Sequence, residues 1–494
     1  MKKKHVVYLI LLAGAMLLIL IAIPFFHIYR TYLKEDKIAV ETPKGYTNDA
    51  SRLNLTKMDT IIDVASSKAA IENQLRRLIA YSKTKNIPIS IAGAKHSMGG
   101  HTMYPDGILI NMRPYNHMQI DLDNNILTVG AGALWADVID YLNGYNKSVA
   151  VMQAFSSFSI GGSISVNGHG WQKNTPPISS SVVSFTLMDA NGEIIACSPT
   201  LNRELFGLAI GGYGLFGIIL DVTLKIVDNT NLKFIRYKIN SSEYLDAFKK
   251  YASDDNSVEL VFGRLNITNK QFLENATLNV FKKTGEQSDA NGKNSYSQIP
   301  IEVKRLVFRS TVNSEYGKRL RWDLETTLGR FASNNTVTRN QLLHDDVSLI
   351  ENKDAKSTDI LQEYFIPARH FNTYIDELKT VLPHQNIDLL NITIRDVYQD
   401  EISYLNYARE NVFGFVFLFN QKKTTQDEEA MKALTNVLAQ LALKYEGTFY
   451  LPYRLHVDKN TMKAIYPKAD DFFSLKLKYD PQEVFKNNFY TYYR

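Results

Sequence analysis

The chain opens on an unbroken apolar run over residues 6–26 that carries no charge. About 20 apolar residues in a helix span a bilayer core, so the run is expected to be an uncleaved single-pass membrane anchor. A cleaved signal peptide is the alternative, but its apolar core is usually shorter and ends at a small-x-small site. This run ends at Ile23-Pro24-Phe25-Phe26. Lys2, Lys3 and Lys4 precede it, while Arg30, Lys34 and Lys37 follow. The positive-inside comparison is close to even. The free amine tips the N-terminus toward the cytoplasmic side, and the side of the remaining chain stays open. Residues 27–50 are polar and mixed, and read as a stalk.

Beyond the stalk, short alternating runs interleave with helical spacing. Strands are predicted over 58–64, 87–92, 107–111, 118–121 and 126–129, and helices over 67–83 and 134–142. The runs 182–189 and 193–197 form a hairpin about Asn191-Gly192, a two-residue turn signal. A short helix opens at Leu205-Phe206, and a strand covers 218–226. This gives an α+β domain over 51–228. A second α+β domain, expected over 229–445, carries strands over 232–239, 258–265, 361–366, 389–397 and 413–420. It also has an amphipathic helical stretch over 302–328 and an exposed loop over 289–297. A helix over 428–445 sets Met431, Leu434, Leu438, Leu441 and Ala442 on one face. Residues 446–494 form a C-terminal segment.

Composition narrows the function. A chain of 494 residues exceeds one ordinary core. Its 45% hydrophobic and 22% charged residues are ordinary for a globular protein. The formal charge is only +5, and the basic residues form no stripe, so no nucleic-acid surface is expected. Cys197 is the one cysteine, which excludes a disulfide framework within the chain and a cysteine-based metal site. No metal site is predicted.

The chemistry lies in two glycine-studded segments. The first runs Ile-Pro-Ile-Ser-Ile-Ala-Gly-Ala-Lys-His-Ser-Met-Gly-Gly from Ile87 to Gly100, and the second Ser-Ile-Gly-Gly-Ser-Ile-Ser-Val-Asn-Gly-His-Gly from Ser159 to Gly170. Glycine lets backbone N–H groups approach a ligand closely, and successive N–H groups make anion-binding nests. Two nests suit a diphosphate, hence a dinucleotide cofactor. Gly212-Tyr-Gly-Leu-Phe-Gly217 has the spelling of an NAD fingerprint, but the run after it is β-rich rather than helical.

Gly93-Ala94-Lys95-His96-Ser97, Val129-Gly130-Ala131-Gly132, Ile160-Gly161-Gly162-Ser163 and Gly212-Tyr213-Gly214-Leu215-Phe216-Gly217 together resemble, in order and spacing, the vanillyl-alcohol-oxidase superfamily. These are FAD enzymes with a two-subdomain PCMH-type flavin-binding domain and a substrate, or cap, domain. Lys478-Tyr479-Asp480-Pro481 and Val484-Phe485 are similar to the C-terminal signature of its aldonolactone and alditol oxidase branch, and decaprenylphosphoryl-ribose oxidases share parts of both ends. The resemblance implies FAD held by Gly93, Ala94, Lys95, His96, Ser97, Met98 and Gly99, and by Gly161, Gly162, Ser163, Asn167, Gly168 and His169. Gly217 and Ile218 would line the adenine or ribose. His96 stands where relatives bond the flavin covalently; a hydrogen-bonding histidine is the alternative. The second, cysteinyl flavin link of some relatives is not expected, because Cys197 falls after the hairpin turn, outside the glycine segments. His101 reads as a loop residue.

Leu389-Leu-Asn-Ile-Thr-Ile-Arg395 resembles the alditol-oxidase strand that ends in an active-site arginine, so Arg395 is expected near the flavin. Thr393 replaces the branch's acidic residue. Tyr453, Arg454 and His456 are further catalytic candidates, with surface ion pairing as the alternative for the last two. Glu363 and Tyr364 read as a structural strand edge. The expected function is a membrane-anchored FAD-dependent oxidoreductase acting on a hydroxyl of a sugar, polyol or aldonolactone, with oxygen or a quinone as electron acceptor. The alternatives are an enzyme for a polyprenyl-phosphate-linked sugar and a non-catalytic flavin-binding protein.

Overall fold

Lys68–Lys85 buries Ile71, Leu75 and Ile79 on one helical face, at the spacing its sequence predicts. It connects two strands of a three-stranded parallel sheet. Ile108–Asn111 is central in that sheet, between Thr60–Asp63 and Ile89–Ala92. The computed structural model describes residues 2–35, 41–287, 300–328 and 336–494. An antiparallel sheet follows in the order Ile194–Cys197, Val182–Met188, Ile218–Asp228, Ile126–Gly130, Met118–Asp121. The hairpin about Asn191-Gly192 forms as expected, with Gly192 at φ +83°. The run after Gly217 is the strand Ile218–Asp228, so the NAD spelling does not lead into a helix.

The next strand, Thr230–Asn240, enters an eight-stranded antiparallel sheet. Its order is Thr336–Thr338, Thr230–Asn240, Asn275–Gln287, Val258–Leu265, Asp388–Val397, Val412–Lys422, Ser357–Pro367, Thr448–Phe449. The sequence reading missed Asn275–Gln287. Its Ala276, Leu278 and Val280 are buried, and so are Thr277 and Asn279 between them, which hides the strand's burial behind a polar alternation. The helical stretch expected over 302–328 divides into Ile301–Arg309 and Glu315–Asp323. Asn313 takes a left-handed φ of +50° between them, and the Ser314 hydroxyl caps the second helix by accepting from Gly317 N at 3.0 Å. The loop expected over 289–297 lies outside the described residues.

The C-terminal segment returns to the first sheet. Ile89 N donates to Val484 O (2.7 Å), and Lys486 N donates to Ile89 O (3.0 Å). Asp480 fixes this return: it pairs with the buried Lys476 and accepts from the backbone N–H of Val484 and Phe485, both at 2.9 Å.

The N-terminal helix is Lys2–Lys34 and runs through Pro24. Among the described residues no helix is long and apolar enough to cross a membrane. Much of the 6–26 run falls on side chains outside the described residues. The stalk is not free chain where it is described. His27 Nε2 donates to Ser310 O (2.9 Å), and the Glu35 carboxylate binds Arg305 at 2.6 and 2.7 Å. Farther on, Asp49 accepts from Gly100 N at 2.8 Å, which ties the end of the stalk to the first glycine segment.

Candidate active site

The glycine segments meet at a cavity of about 580 Å³ that runs on to the eight-stranded sheet. The first segment leaves the strand Ile89–Ala92, and Lys95 turns it with φ +56°. A Cβ on Gly93 would lie 1.9 Å from Ser159 Oγ, the atom that accepts from Ala94 N at 3.2 Å. Only a residue without a side chain lets the two segments touch here. The second segment corrects the expected nest: Ile160–Ser165 is a short helix. Its glycines serve close packing, because a Cβ on Gly161 would lie 2.9 Å from the Ala131 Cβ.

Gly93, Ala94, Lys95, His96, Ser97, Gly161, Gly162, Ser163, Gly168, His169 and Gly217 line the cavity. Met98, Gly99, Asn167 and Ile218 stand behind it. Met98 N donates to Pro452 O at 2.9 Å, and a Cβ on Gly99 would meet Tyr453 O at 2.5 Å. The Asn167 amide donates to Asp400 at 2.8 Å and Ser403 at 3.2 Å, holding loops together. Ile219, not Ile218, faces the cavity.

His96 stacks on Phe158 with ring centroids 4.0 Å apart. Its Nε2 lies 3.1 Å from Ser157 O. A carbonyl only accepts, so Nε2 carries the proton and Nδ1 keeps its lone pair. Burial lowers the pKa of the ring, against a smaller opposing pull from the Ser157 carbonyl, and keeps it neutral near pH 7. His101 is more than a loop residue. It is buried beside Tyr213 and Phe489, donates to Leu451 O at 3.0 Å, and is pushed down to about 3 by burial. Cys197 is buried and does not line the cavity; burial pushes its thiol up to about 12.

At the sheet end of the cavity stands a carboxylate that the sequence reading assigned to structure. Glu363, in the strand Ser357–Pro367, has a side chain with 0% exposure. Its Oε1 lies 2.9 Å from His169 Nε2, an ion-pair contact off the line of a directed hydrogen bond. Its Oε2 accepts from Tyr453 OH at 3.4 Å. Burial raises its pKa, but the nearby His169 and Arg395 and the hydrogen bond from Tyr453 together outweigh it, so the carboxyl sits below its ordinary value. Arg395 donates from Nη1 to His169 O at 3.3 Å, and its buried Nε has no protein partner among the described residues. Arg395 pairs in register with Gly414, which pairs with Phe365. A Cβ on Gly414 would lie 2.9 Å from Glu363 Oε1. The missing side chain thus leaves room for Glu363 to reach toward Arg395 across a strand, where Thr393 supplies no acid.

Arg454 and His456 do not join this group. Both bind Glu428: Arg454 from Nε at 3.0 Å and His456 Nε2 at 2.8 Å. Arg454 Nη1 also donates to Asn54 at 2.7 Å. Residues 451–457 form turns, which aim both side chains at the helix Thr425–Lys444. Burial raises the Glu428 carboxyl, but these two partners outweigh it and bring it down to about 2. The pair ties the C-terminal segment to that helix.

The FAD binding domain family matches residues 67–198. Cytokinin dehydrogenase 4 of Arabidopsis thaliana is 24% identical over 433 residues, covering 82% of this chain and 80% of the relative. L-Gulonolactone oxidase of Bos taurus is 30% identical over 174 residues, covering 35% of this chain and 39% of the relative. That of Mus musculus is 29% identical over the same length, so this chain spans about two-fifths of the gulonolactone oxidases it matches. The chain carries a PCMH-type FAD-binding domain, and these relatives are members of the vanillyl-alcohol-oxidase superfamily. It is an FAD-dependent oxidoreductase, with a small-molecule substrate and an electron acceptor.

The residues present suit this superfamily's cofactor. Ser97 Oγ and Gln153 Oε1 are buried without protein partners and belong to cavity-lining residues, as Arg395 does. Buried polar groups are nearly always hydrogen-bonded, and FAD offers such partners. The first glycine segment and the cavity face of the helix Ile160–Ser165 would hold its diphosphate. The signal that could have found Glu363 was an acidic residue inside an otherwise apolar strand, since a glutamate is almost never fully buried unless paired.

A Gly93→Ala change should separate the two glycine segments. Overpacking costs about 1–3 kcal/mol, which, if borne by the bound state, is about five- to 150-fold in FAD affinity. Titration of the apoprotein with FAD checks this; unchanged affinity in Gly93→Ala would remove the segment contact from cofactor binding.

Proposed function

We propose that this chain is a membrane-anchored enzyme that oxidises a CH–OH group of a sugar, polyol or aldonolactone. The observation that carries the reading is the buried Glu363, set among His169, Tyr453 and Arg395 in the same cavity as the glycine segments. Alcohol oxidation needs a base for the hydroxyl proton, and an ionised carboxylate inside a dry cavity suits that task. Bound FAD supplies the acceptor for the hydride that leaves the substrate carbon. Glu363 takes the hydroxyl proton. His169 and Tyr453 hold its carboxylate in place. Arg395, always charged, offers a fixed positive charge for the negative charge that develops as the cofactor is reduced. The name L-gulonolactone oxidase among the relatives supports a lactone or sugar-like substrate. A second reading is dehydrogenation of a flat aromatic compound. It is favoured by Trp171 and Phe262, stacked at 4.8 Å in the cavity wall, and by the longer match to a cytokinin dehydrogenase.

His96 is proposed to bond the flavin through Nδ1, the nitrogen that its contact with Ser157 O leaves free. The apolar run over 6–26 is proposed to anchor the chain in a membrane, with the N-terminus on the cytoplasmic side. Exposed Ile21, Ile23, Phe25 and Phe26 support this, because such a row of large apolar side chains is costly in water.

Glu363→Gln should retain flavin yet slow anaerobic flavin bleaching by about a hundredfold or more with a panel of aldonolactones and alditols. The wild-type rate should hold through neutral pH and fall as acid protonates Glu363, with a midpoint below the ordinary glutamate value of about 4.3. An undiminished rate in the variant would remove Glu363 as the base.

Acid precipitation should leave flavin in the wild-type pellet and free it from His96→Ala. Complete release from wild type would reduce His96 to a hydrogen-bonding residue. Full-length protein should fractionate with membranes and need detergent for extraction. Recovery of the intact chain in the soluble fraction would defeat the anchor.

A further inference from the structure

The strand Asp388–Val397 presents Asn391, Thr393 and Arg395 toward the cavity, while Ile392 and Ile394 are buried in the core. The Asn391 amide donates to Thr393 Oγ1 at 2.8 Å, which places the two on one face. Arg395 belongs to the Glu363 end. Asn391 lies four residues away, about 13 Å along an extended strand. There it accepts from two arginines of other elements: Arg264 Nη1 at 2.8 Å and Arg321 Nη2 at 3.0 Å. Both arginines line the cavity.

The charge at this end is unlike that at the other. There, the carboxylate of Glu363 meets His169 at 2.9 Å and feels the charge of Arg395. Here, Glu325 Oε1 lies 3.1 Å from Arg264 Nε and 3.6 Å from Arg236 Nη2, so one carboxylate is shared. Arg321 is held by neutral acceptors, Asn391 and Leu390 O at 2.9 Å, and by the Phe308 ring at 4.5 Å. Burial first, and then the like charge of Arg264, push its pKa down, with Glu325 pulling the other way. Two half-buried like charges that share the Asn391 oxygen repel, and an anion between them relieves that repulsion. Guanidinium pairs suit the two oxygens of a carboxylate or phosphate. The wall between the two ends is aromatic, with Trp171 stacked on Phe262 and Phe281 beyond it at 6.3 Å.

We propose that Arg264 and Arg321 form an anion-binding subsite at the far end of the cavity, and that the substrate is an elongated molecule with a carboxylate or phosphate group at the end remote from the oxidised carbon. This rests on the reading of the cavity as the substrate chamber. The subsite orients the substrate: with the anion fixed on Arg264 and Arg321, only a carbon about 13 Å away along the strand comes beside Glu363.

The test uses FAD-loaded full-length enzyme in detergent, titrated calorimetrically with benzoate, phenyl phosphate and benzamide while flavin absorbance is followed. One or both anions should bind about tenfold or more tighter than neutral benzamide, as a charge-assisted contact requires. The tighter of the two identifies the group as carboxylate or phosphate. Arg264→Gln should erase this preference and leave benzamide affinity within about threefold. Equal binding of all three by wild type overturns the subsite, and needs no variant to fold. So does an anion preference that survives in both Arg264→Gln and Arg321→Gln. Anion binding that is lost in Arg264→Gln but never perturbs the flavin spectrum upholds the subsite. The chamber reading fails instead if anion binding is lost in Arg264→Gln while no aldonolactone or alditol bleaches the wild-type flavin, because a short anion held about 13 Å from the Arg395 end need not touch the flavin.

Discussion

A carboxylate with no exposure to water must be matched by charge and hydrogen bonds, and at Glu363 that requirement draws three parts of the chain together. His169 comes from the end of the second glycine segment, Arg395 from the eight-stranded sheet, and Tyr453 from the C-terminal segment. Breaking a buried pair by removing one partner costs about 3–5 kcal/mol. Glu363 is held only while all three parts are docked, so the assembled site is also a lock between the domains.

The fold was legible where periodicity and burial agree. The helix Lys68–Lys85 and the strand Met118–Asp121 lie within two residues of where their patterns put them. Legibility failed where both faces of a strand are buried, as in Asn275–Gln287, and where a chemically distinct residue resets the chain, as at Asn313. The glycine segments were read correctly as cavity-lining but partly for the wrong reason. Gly161 permits a helix to sit against Ala131 rather than a turn to wrap an anion.

The cluster around Glu363 shows what local sequence leaves out. Arg454 and His456 looked functional because their types are reactive, yet a turn aims both at Glu428. Glu363 looked structural because its neighbours are. Its position depends on Gly414, which pairs with Arg395 across one ladder and lies on a strand that carries neither Glu363 nor Thr393. A departure from a family's motif at one position was made up by a side chain that crosses a strand, and only the register of three strands reveals it.

The N-terminal helix and the cavity are mechanically connected. Arg305, almost fully buried, takes both oxygens of Glu35 and also binds Glu302, while His27 donates to Ser310 O. These contacts fall along or just after the helix Ile301–Arg309, whose Phe308 lines the cavity beneath Arg321. A charge network this buried resists removal of either partner, so the helix end near Glu35 cannot shift without carrying Arg305. Arg305 and Phe308 lie three residues apart on one helix, and side chains at that spacing share a face. The ring that supports Arg321 is therefore set by the same helix that receives the apolar N-terminal segment. The geometry of the cavity's far end depends on how the first thirty-five residues are docked.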